Sequence, residues 1–585
     1  MKKTLYTAAC AALGLASCGS SQQNKNNVAG NTDSLNIRFE NYTNKFLNDL
    51  WKEEPEWATQ QGYHVYDSML VIPDAASRTA AMYFANAELD SLKAYDTKVL
   101  TPSHLTDYKM IENYLKSKQW QLESLKQYTW DPSAYNVTGL IAFMLASNDQ
   151  PLDVRLQNIY KRMQQIPAYY EAAKTQLKDP VEELKALGID QNMGGVYVFE
   201  TDLVDSVKAS SFSEEKKYKM MLAAKNASHA VKGYVDFLKS MKSATPRSFR
   251  LGKDLYAKKF EFDIQSNLSA EETYKAAVER KAYLHGEMAK ISRQLWPKYF
   301  GKKEMPADTL QLVGMVIDTL STVHVKPQDF QSAIEKEIPL LVKFIKQKNL
   351  LDIDSSKPLV IRKEPGYMAG VAGASISAPG PYDKNGKTYY NVGSLEGWPA
   401  EKSESYLREY NQYILQILCI HEAIPGHYTQ LVYANRAPSM IKSIFGNGAM
   451  VEGWAVYTEQ MMLENGFGNN APEMWLMWYK WHLRTVCNTI LDYSVHAGDM
   501  TKEQAMHLLT KEAFQQQAEA EGKWKRVSVT SVQLTSYFAG YKAIYDLREK
   551  IKTKEGKDFN LRLFHEKFLS YGSAPVKYIS DLMLK

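Results

Sequence analysis

The sequence is poor in cysteine, and neither sign of charge is in marked excess. Only four of its 585 residues are cysteines, and 71 basic residues stand against 66 acidic ones, giving a formal net charge of +5. This near-equality of basic and acidic residues argues against the strongly basic surface that nucleic-acid binding requires. Beyond the N-terminal segment only Cys419 and Cys487 remain. An oxidising compartment would allow them to pair, but two cysteines make no disulfide framework and are more typical of small buried apolar residues.

Long apolar runs are also absent beyond the N-terminus, where no stretch reaches the roughly 18 residues that a membrane-spanning helix needs. At the N-terminus, Lys2 and Lys3 precede a short apolar stretch at residues 5–15, as in an export signal. The string Leu-Ala-Ser-Cys that ends at Cys18 is similar to a bacterial lipobox, in which the chain is cleaved before a diacylated cysteine. We therefore expect a signal peptide over residues 1–17 and a lipid on the new N-terminal cysteine. An ordinary secretory signal with an incidental cysteine is the alternative.

Such a lipid would anchor the exported protein to a membrane of the bacterial cell envelope, on its periplasmic or cell-surface side. Residues 18–34 are mostly polar, rich in Asn and Ser, and lack apolar periodicity, which predicts a flexible tether. Apolar residues then recur at helical spacing, so a helical body is expected over residues 35–585. We expect this body to have an N-terminal lobe at about 35–250 and a second lobe at about 251–585.

The composition changes between residues 357 and 393, where β-prone and turn-forming residues replace the helical pattern. Residues 359–361 form a short apolar run, and the Asn-Gly pair at 385–386 is a hairpin signal ahead of a second β-prone run. This pattern predicts a small antiparallel sheet. An edge strand can hold an extended peptide by main-chain pairing, which makes Tyr390 and Asn391 candidates for substrate contacts. A purely structural hairpin is an equally good interpretation.

One segment carries His421, Glu422 and His427 at a spacing close to that of known metal sites. An apolar helical stripe leads into His421, so its ring is expected on the buried face of a helix. Zinc peptidases commonly place His-Glu-x-x-His on a helix, where the histidines share a face and the glutamate acts on the metal-bound water. Here the second histidine comes two residues late, roughly 240° around a regular helix from the first.

Pro425 and Gly426 offer a way for the two histidines to meet. Proline cannot donate a hydrogen bond to the carbonyl of His421 and its ring clashes there, so the helix must kink or bulge. Glycine then tolerates backbone angles that other residues avoid. If two residues are looped out, His427 returns to the side of His421. Otherwise the string is only a pair of histidines at a helix end.

A third ligand is expected from an acidic residue on a following helix, predicted over residues 451–463. This helix carries Glu452 and Glu459. They lie on one face but roughly 10 Å apart along the axis, so only one of them can reach a metal held by the two histidines. The spacing does not choose between them.

These motifs resemble the bacterial family called domain of unknown function 885, which looks related to neurolysin-like and thermolysin-like zinc peptidases with a glutamate third ligand. The resemblance covers nearly the whole mature chain. It is carried by the strings HEAIPGH at 421–427, EGWAVYTE at 452–459, LDYSVHAGDMTKEQA at 491–505, VQLTSYFAGYKAIYDLR at 532–548 and EPEWATQQGYHVYD at 54–67.

The resemblance implies a Zn²⁺ cofactor held by His421, His427 and Glu452, with Glu422 as general base. Glu459 would then hydrogen-bond to one of the ligand residues, or simply lie on the same helix face without a role in the site. The resemblance also implies a mainly α, two-lobed, neurolysin-like metallopeptidase body, with the small antiparallel sheet beside the metal-binding helix.

Further residues are assigned by the resemblance in the C-terminal part. His496 and Tyr537 fall in motifs whose counterparts in related peptidases face the scissile carbonyl. Arg484 and Arg526 fall on recurrent positions that suit substrate contacts. Each has a plainer interpretation: a satisfied helix-end histidine, a core aromatic, and arginines paired with structural carboxylates. Ser494 stands where the family pattern has glycine, which puts the local backbone in doubt more than the metal site.

These expectations define one function and one rival. The expected function is hydrolysis of peptide bonds, mainly in oligopeptides, in which Glu422 takes a proton from water while His496 and Tyr537 stabilise the oxyanion. The expected partners are therefore a peptide substrate and, through the lipid, a membrane. The rival is a lipid-anchored solute-binding protein, or a metallopeptidase fold without activity. Neither rival requires a histidine–glutamate pair, a second histidine and a following acid at this spacing.

The lipid anchor is open to a direct test. Labelled palmitate should enter the wild-type protein and not the Cys18→Ser variant, because the thiol is the acylation site in a lipobox. Both proteins would be expressed in a bacterial host, immunoprecipitated and counted. Equal labelling of the two would show that Cys18 is not the acylated residue.

Overall fold

The computed structural model describes residues 20–242, 246–364 and 374–584, and for residues 20–32 it describes the backbone alone. Helices dominate, together with one small three-stranded sheet, so the prediction of a mainly helical fold is confirmed. Among the described helices none is long and apolar enough to cross a membrane. The predicted signal peptide and Cys18 lie outside the described residues.

Helices α1 to α14 come before the sheet. They span α1 Ser20–Glu53, α2 Pro55–Gln60, α3 Ala75–Leu92, α4 Pro102–Trp120, α5 Thr138–Ala146, α6 Leu152–Met163, α7 Ile166–Gln176, α8 Glu182–Tyr197, α9 Leu203–Ala209, α10 Glu214–Ser240, α11 Lys253–Ile264, α12 Ala270–Phe300, α13 Thr309–Leu320 and α14 Phe330–Lys348.

The strands and helices α15 to α25 follow. The strands are β1 Leu359–Lys363, β2 Ala374–Ser377 and β3 Thr388–Val392. The helices are α15 Ala400–Glu409, α16 Gln412–Glu422, α17 His427–Ala434, α18 Met440–Ile444, α19 Gly448–Glu464, α20 Pro472–His496, α21 Lys502–His507, α22 Gln517–Val529, α23 Ser536–Glu555, α24 Leu561–Leu569 and α25 Val576–Met583.

The first helix begins earlier than the sequence predicted. Its amphipathic part packs Phe39 and Phe46 into the core, but the helix starts at Ser20. The segment predicted as a flexible tether is therefore helical from Ser20 on. Helix formation is cooperative: once a buried stretch has nucleated a helix, adding polar residues to its end costs little free energy. Apolar periodicity cannot reveal such a polar extension.

The cores do not divide at the predicted lobe boundary. The larger core unites side chains of residues 39–115 with side chains from residue 277 to 579. A smaller core is built mainly from residues 135–238. A buried ion pair between Asp107 of α4 and Lys442 of α18 ties the early helices to the later ones. The first helices thus pack with the second lobe, a long-range arrangement that local periodicity cannot reveal.

The sheet is mixed, not antiparallel as predicted. Its strand order is β1-β3-β2, with β1 parallel to β3 and β2 antiparallel to β3. The Asn-Gly signal does mark the connection between β2 and β3, where the antiparallel prediction is right. The prediction is wrong for β1, because the partner of a strand is set by packing at a distance and not by the strand's own residues.

Two glycines bring α19 and α23 together along their backbones. A Cβ atom built at Gly540 would lie 1.7 Å from the Ala449 carbonyl oxygen. One built at Gly453 would lie 2.3 Å from the Gly540 carbonyl carbon. Neither position has room for a side chain, so the helices meet at a distance that only glycine permits.

Replacing Gly540 by alanine should therefore destabilise the protein. The methyl group must push two helix backbones apart, and overpacking of this kind costs about 1–3 kcal/mol or more. The matched control is Gly139→Ala in α5, where nothing lies within 4 Å of the added Cβ. That change should be neutral or slightly stabilising, since alanine favours a helix over glycine. Thermal unfolding followed by circular dichroism measures both, and equal midpoints for the two variants would contradict the close crossing.

Candidate metal centre

The helix that carries His421 is interrupted before His427. Helix α16 ends at Glu422, and α17 begins at His427. Between them the backbone N–H of Gly426 donates to the carbonyl of Ile420 at 3.0 Å, a wider span than the four-residue step of a regular helix. The four intervening residues thus form the predicted bulge, and the second histidine is displaced from its regular helical position.

The bulge depends on Gly426 and on a tryptophan of the next helix. A Cβ atom at Gly426 would lie 1.8 Å from the His421 carbonyl oxygen, so no side chain fits there. The indole Nε1 of Trp454, on α19, donates to the carbonyl oxygen of Pro425 at 2.9 Å. The helix that supplies the acidic residue therefore also holds the turn between the histidines.

The two histidines and Glu452 converge on one point. The rings of His421 and His427 have centroids 4.8 Å apart and are nearly perpendicular. Glu452 Oε2 lies 3.8 Å from His421 Nε2 and 3.3 Å from His427 Nε2. The three candidate ligand atoms all lie within 4.8 Å of one another. The structure thus brings together the three residues that the resemblance implied as ligands.

Glu459 lies behind His421 and not beside Glu452. Its Oε1 accepts from His421 Nδ1 at 2.7 Å and from the indole Nε1 of Trp481 at 3.0 Å. The Glu459 side chain has no solvent exposure. This pair fixes the imidazole with Nε2 directed at Glu452, the orientation that metal-binding histidines usually have. For His427 the corresponding Nδ1 is buried without a hydrogen-bond partner among the described residues.

Opposing effects shift the pKa values in this cluster. Burial disfavours charge on His421, but Glu452 and Glu459 outweigh it and raise its pKa to about 10. Burial alone would raise the pKa of Glu452, but the two histidines beside it hold that pKa well below its usual range. For Glu422 and Glu459 burial prevails, and the pKa of each carboxyl is raised. Three glutamates around two histidines make the cluster attractive to a cation.

Tyr537 lies next to this cluster. Its ring stacks on His421 with a centroid distance of 6.5 Å. Arg526 donates from Nη2 to Tyr537 Oη at 3.1 Å and to Gln533 Oε1 at 2.6 Å. Burial and the nearby Glu452 raise the pKa of Tyr537 to about 12, so its hydroxyl keeps its proton at neutral pH. Tyr537 is thus a hydrogen-bond donor held beside the candidate ligands.

His496 faces backbone carbonyls and not the candidate ligands. Its Nε2 lies 2.8 Å from the carbonyl oxygens of both Val527 and Thr530, and the residue is only 2% exposed. Burial lowers its pKa to about 4, so the ring is neutral and Nε2–H is the donor. The expected contact with a substrate oxygen is replaced by one that fixes the end of α22. This arrangement agrees with the plainer interpretation of a satisfied helix-end histidine, although the sequence could not identify its main-chain acceptors.

Asp492, one turn before His496, fixes the start of α23. Its carboxylate accepts from the backbone N–H groups of Val532 and Thr535 at 3.2 Å each. Burial raises the pKa of Asp492 to about 7, although the two backbone hydrogen bonds oppose this. Together the two residues hold the segment that leads into Tyr537, so they position the site without entering it.

Two of the residues expected to bind substrate are structural. Tyr390 is fully buried, and Asn391 is also inaccessible. The Asn391 amide accepts from Arg362 and donates to Ser377, at 2.7 and 2.8 Å, which links all three strands. Because β3 is the central strand, its main-chain groups are already paired. The predicted substrate contacts at these residues are therefore wrong.

Arg484 and Arg526 lie close to the site in different surroundings. Arg484 forms an ion pair of 2.7 Å with Glu519 of α22. Arg526 contacts Tyr537, as described above. A cavity of about 490 Å³ reaches one candidate ligand, Glu452, and is also lined by Gln533 and Ser536, among others. The sequence analysis did not predict that Trp481 and Trp454 contribute hydrogen bonds to the site. A buried indole N–H needs an acceptor, so a tryptophan on a core helix is the signal that could have pointed to them.

Comparisons with known proteins place the chain among bacterial sequences. The sequence model of a family described as "Bacterial protein of unknown function (DUF885)" matches residues 55–583. A solved structure from Shewanella oneidensis, described as a lipoprotein of unknown function, is 52% identical with a TM-score of 0.84, covering 94% of this chain and 100% of that one. Another, from Colwellia psychrerythraea and described as a lipoprotein, is 16% identical with a TM-score of 0.74, covering 95% and 98%, and shows a shared fold alone. No curated protein matches the chain.

Proposed function

The chain belongs to the DUF885 family of bacterial proteins, and we propose that it is a lipid-anchored, zinc-dependent peptidase. The observation that carries this proposal is the convergence of His421 Nε2, His427 Nε2 and Glu452 Oε2. The cavity lined by Glu452 would let a substrate approach this side of the cluster. The description of the Shewanella oneidensis relative as a lipoprotein supports the anchor.

The donor set fits zinc. Two imidazole nitrogens and one carboxylate oxygen leave a fourth position open, as catalytic zinc requires. Tetrahedral bonds of about 2.0–2.1 Å put ligand atoms about 3.3 Å apart. Glu452 Oε2 lies 3.3 Å from His427 Nε2 and 3.8 Å from His421 Nε2, close to that spacing. This oxygen is also buried without a hydrogen-bond partner among the described residues, although both histidines lie within 4 Å of it, so it is free to bind a cation.

Bound zinc would polarise the scissile carbonyl and lower the pKa of a water molecule. The other steps belong to the chain's own residues. Glu422, next to a ligand and with a raised pKa, would take a proton from the attacking water and pass it to the leaving amine. Tyr537 would donate a hydrogen bond to the substrate oxygen on which negative charge develops, with Arg526 holding its hydroxyl in place.

His496 has a different part in this proposal from the one that the resemblance implied. Its Nε2–H is used by the carbonyls of Val527 and Thr530. We therefore assign it to positioning, since it fixes the end of the helix that carries Arg526. Tyr537 is then the oxyanion donor that the described residues offer.

The ligand assignment can be tested by metal content. Purified protein should carry about one zinc per chain, and His427→Ala should lose most of it. Glu459→Gln should keep zinc but with an affinity lower by about 10–100-fold, because Glu459 orients a ligand without being one. His229→Ala, at an exposed position on α10, is the matched control and should leave zinc unchanged. Plasma emission spectroscopy gives the stoichiometry. Loss of zinc in Glu459→Gln but not in Glu452→Gln would overturn the assignment.

Catalysis can be separated from metal binding by two conservative changes. Glu422→Gln removes the base and should lower kcat by at least about 100-fold while zinc stays bound. Tyr537→Phe removes one donor to the oxyanion and should lower kcat by about 10²–10³-fold. Tyr83→Phe, at an exposed tyrosine, is the matched control and should retain full activity.

The assay is hydrolysis of a mixed oligopeptide library, followed by mass spectrometry. A Tyr537→Phe variant with wild-type activity would make Tyr537 a core aromatic only. If wild-type protein binds zinc but cleaves no peptide in the library, the peptidase proposal fails and a solute-binding role takes its place.

A further inference from the structure

A cluster of buried charges adjoins the candidate metal centre, on facing sides of α20 and α22. Helix α20 contributes Lys480 and Arg484, one turn apart. Helix α22 contributes Glu519, Lys523 and Arg526, which lie on one face at spacings of four and three residues. Glu409, at the end of α15, completes the cluster and contacts Lys480.

The cluster has more cations than anions. Lys480 pairs with Glu409 at 2.8 Å, and Arg484 pairs with Glu519 at 2.7 Å. Lys523 and Arg526 have no carboxylate partner within 4 Å in the part of the chain that the structure describes. Lys523 and Arg526 are therefore the basic side chains left over after both carboxylates of the cluster have been paired.

Lys523 is the more unusual of the two. Only 4% of the residue is exposed, and its amino nitrogen, which has no hydrogen bond among the described residues, is not fully closed off from solvent. A charge that is largely removed from water is costly unless an anion pairs with it. Burial lowers the pKa of Lys523 well below its usual range. Repulsion by Arg484 and Arg526 lowers the pKa further, while Glu519 and Glu409 oppose this shift. An anion bound here would offset both effects.

Arg526 connects this charge to the reacting end of the site. It lies three residues after Lys523 and donates to Gln533 and Tyr537. Gln533 lines the cavity that Glu452 also lines. An anionic group bound by Lys523 and Arg526 would thus lie close to a bond positioned between Tyr537 and the candidate ligands.

We propose that Lys523 and Arg526 bind a carboxylate of the substrate, placed near the bond to be cleaved. The inference rests on the proposed peptidase function and narrows its substrate class. A peptide offers such a carboxylate from two sources, its C-terminus or an acidic side chain. A C-terminal carboxylate would make the enzyme release short C-terminal fragments, whereas an acidic side chain would give it a sequence preference.

Binding tests the carboxylate site without requiring turnover. The zinc-loaded Glu422→Gln protein would be titrated calorimetrically with one N-acetylated tripeptide in two forms, the free acid and the C-terminal amide. A third ligand is the amide with glutamate as its last residue. We expect at least one carboxylate-bearing form to bind at least 10-fold more tightly than the plain amide. The form that does so identifies the source of the carboxylate. Equal affinity for all three would overturn the proposal.

Variants at Lys523 test whether this residue causes the preference for carboxylate-bearing ligands. Lys523→Gln in the same background should reduce the preference for the carboxylate form to less than about 3-fold, and Lys523→Arg should retain it, because the charge is kept. Lys525→Gln, at an exposed position on the same helix, is the matched control and should change nothing. Circular dichroism confirms that each variant is folded. A preference that survives Lys523→Gln would show that the carboxylate binds elsewhere.

Kinetics with the native enzyme separates this inference from the peptidase proposal. If peptides are cleaved with kcat/KM values that do not depend on a carboxylate, the peptidase proposal stands and the carboxylate site is wrong. If no peptide is cleaved but the binding preference appears and depends on Lys523, the carboxylate site stands and the peptidase proposal fails.

Discussion

The arrangement of the site depends on how closely α19 and α23 cross. Gly453 and Gly540 let the two backbones touch, and a side chain at either position would collide with main-chain atoms. Glu452 directly precedes one of these glycines, and Tyr537 lies three residues before the other. The crossing therefore sets the distance between a candidate ligand and the proposed oxyanion donor. A bulkier contact would move both at once, which makes a buried glycine pair as important to the site as the polar residues themselves.

Helix α19 also controls the two histidines. Glu452 faces them, Trp454 holds the carbonyl of Pro425 in the bulge, and Glu459 accepts from His421. Three residues of one helix thus have linked roles: one is a candidate ligand, one holds the turn between the two histidines, and one orients the ring of His421. Because a helix is rigid over this length, the relative positions of these contacts cannot vary independently. Preorganisation of this kind is what a metal site needs before the metal arrives.

The sequence predicted what local chemistry determines and missed what depends on distant partners. The helical body and the bulge between the histidines followed from periodicity and from Pro425, which disrupts any helix. The strand pairing of β1, the carbonyl acceptors of His496 and the central position of Asn391 depend on segments far apart in the chain. A buried histidine near an active-site motif cannot be distinguished from a functional one until its acceptors are known. Spacing left Glu452 and Glu459 equivalent, and only the resemblance separated them.

Acidic and basic side chains lie in different parts of the site. Glu452 faces the two histidines at the candidate metal position, whereas Arg526 contacts Tyr537 and Lys523 lies about one turn before Arg526 on α22. A polarised arrangement of this kind orients a substrate with unlike ends: a carbonyl near the metal position and an anion toward α22. Because both charge groups are largely buried, their effect is screened far less by salt than that of surface charges. The same burial that lowers the pKa of Lys523 in the free protein would therefore strengthen its interaction with an arriving carboxylate.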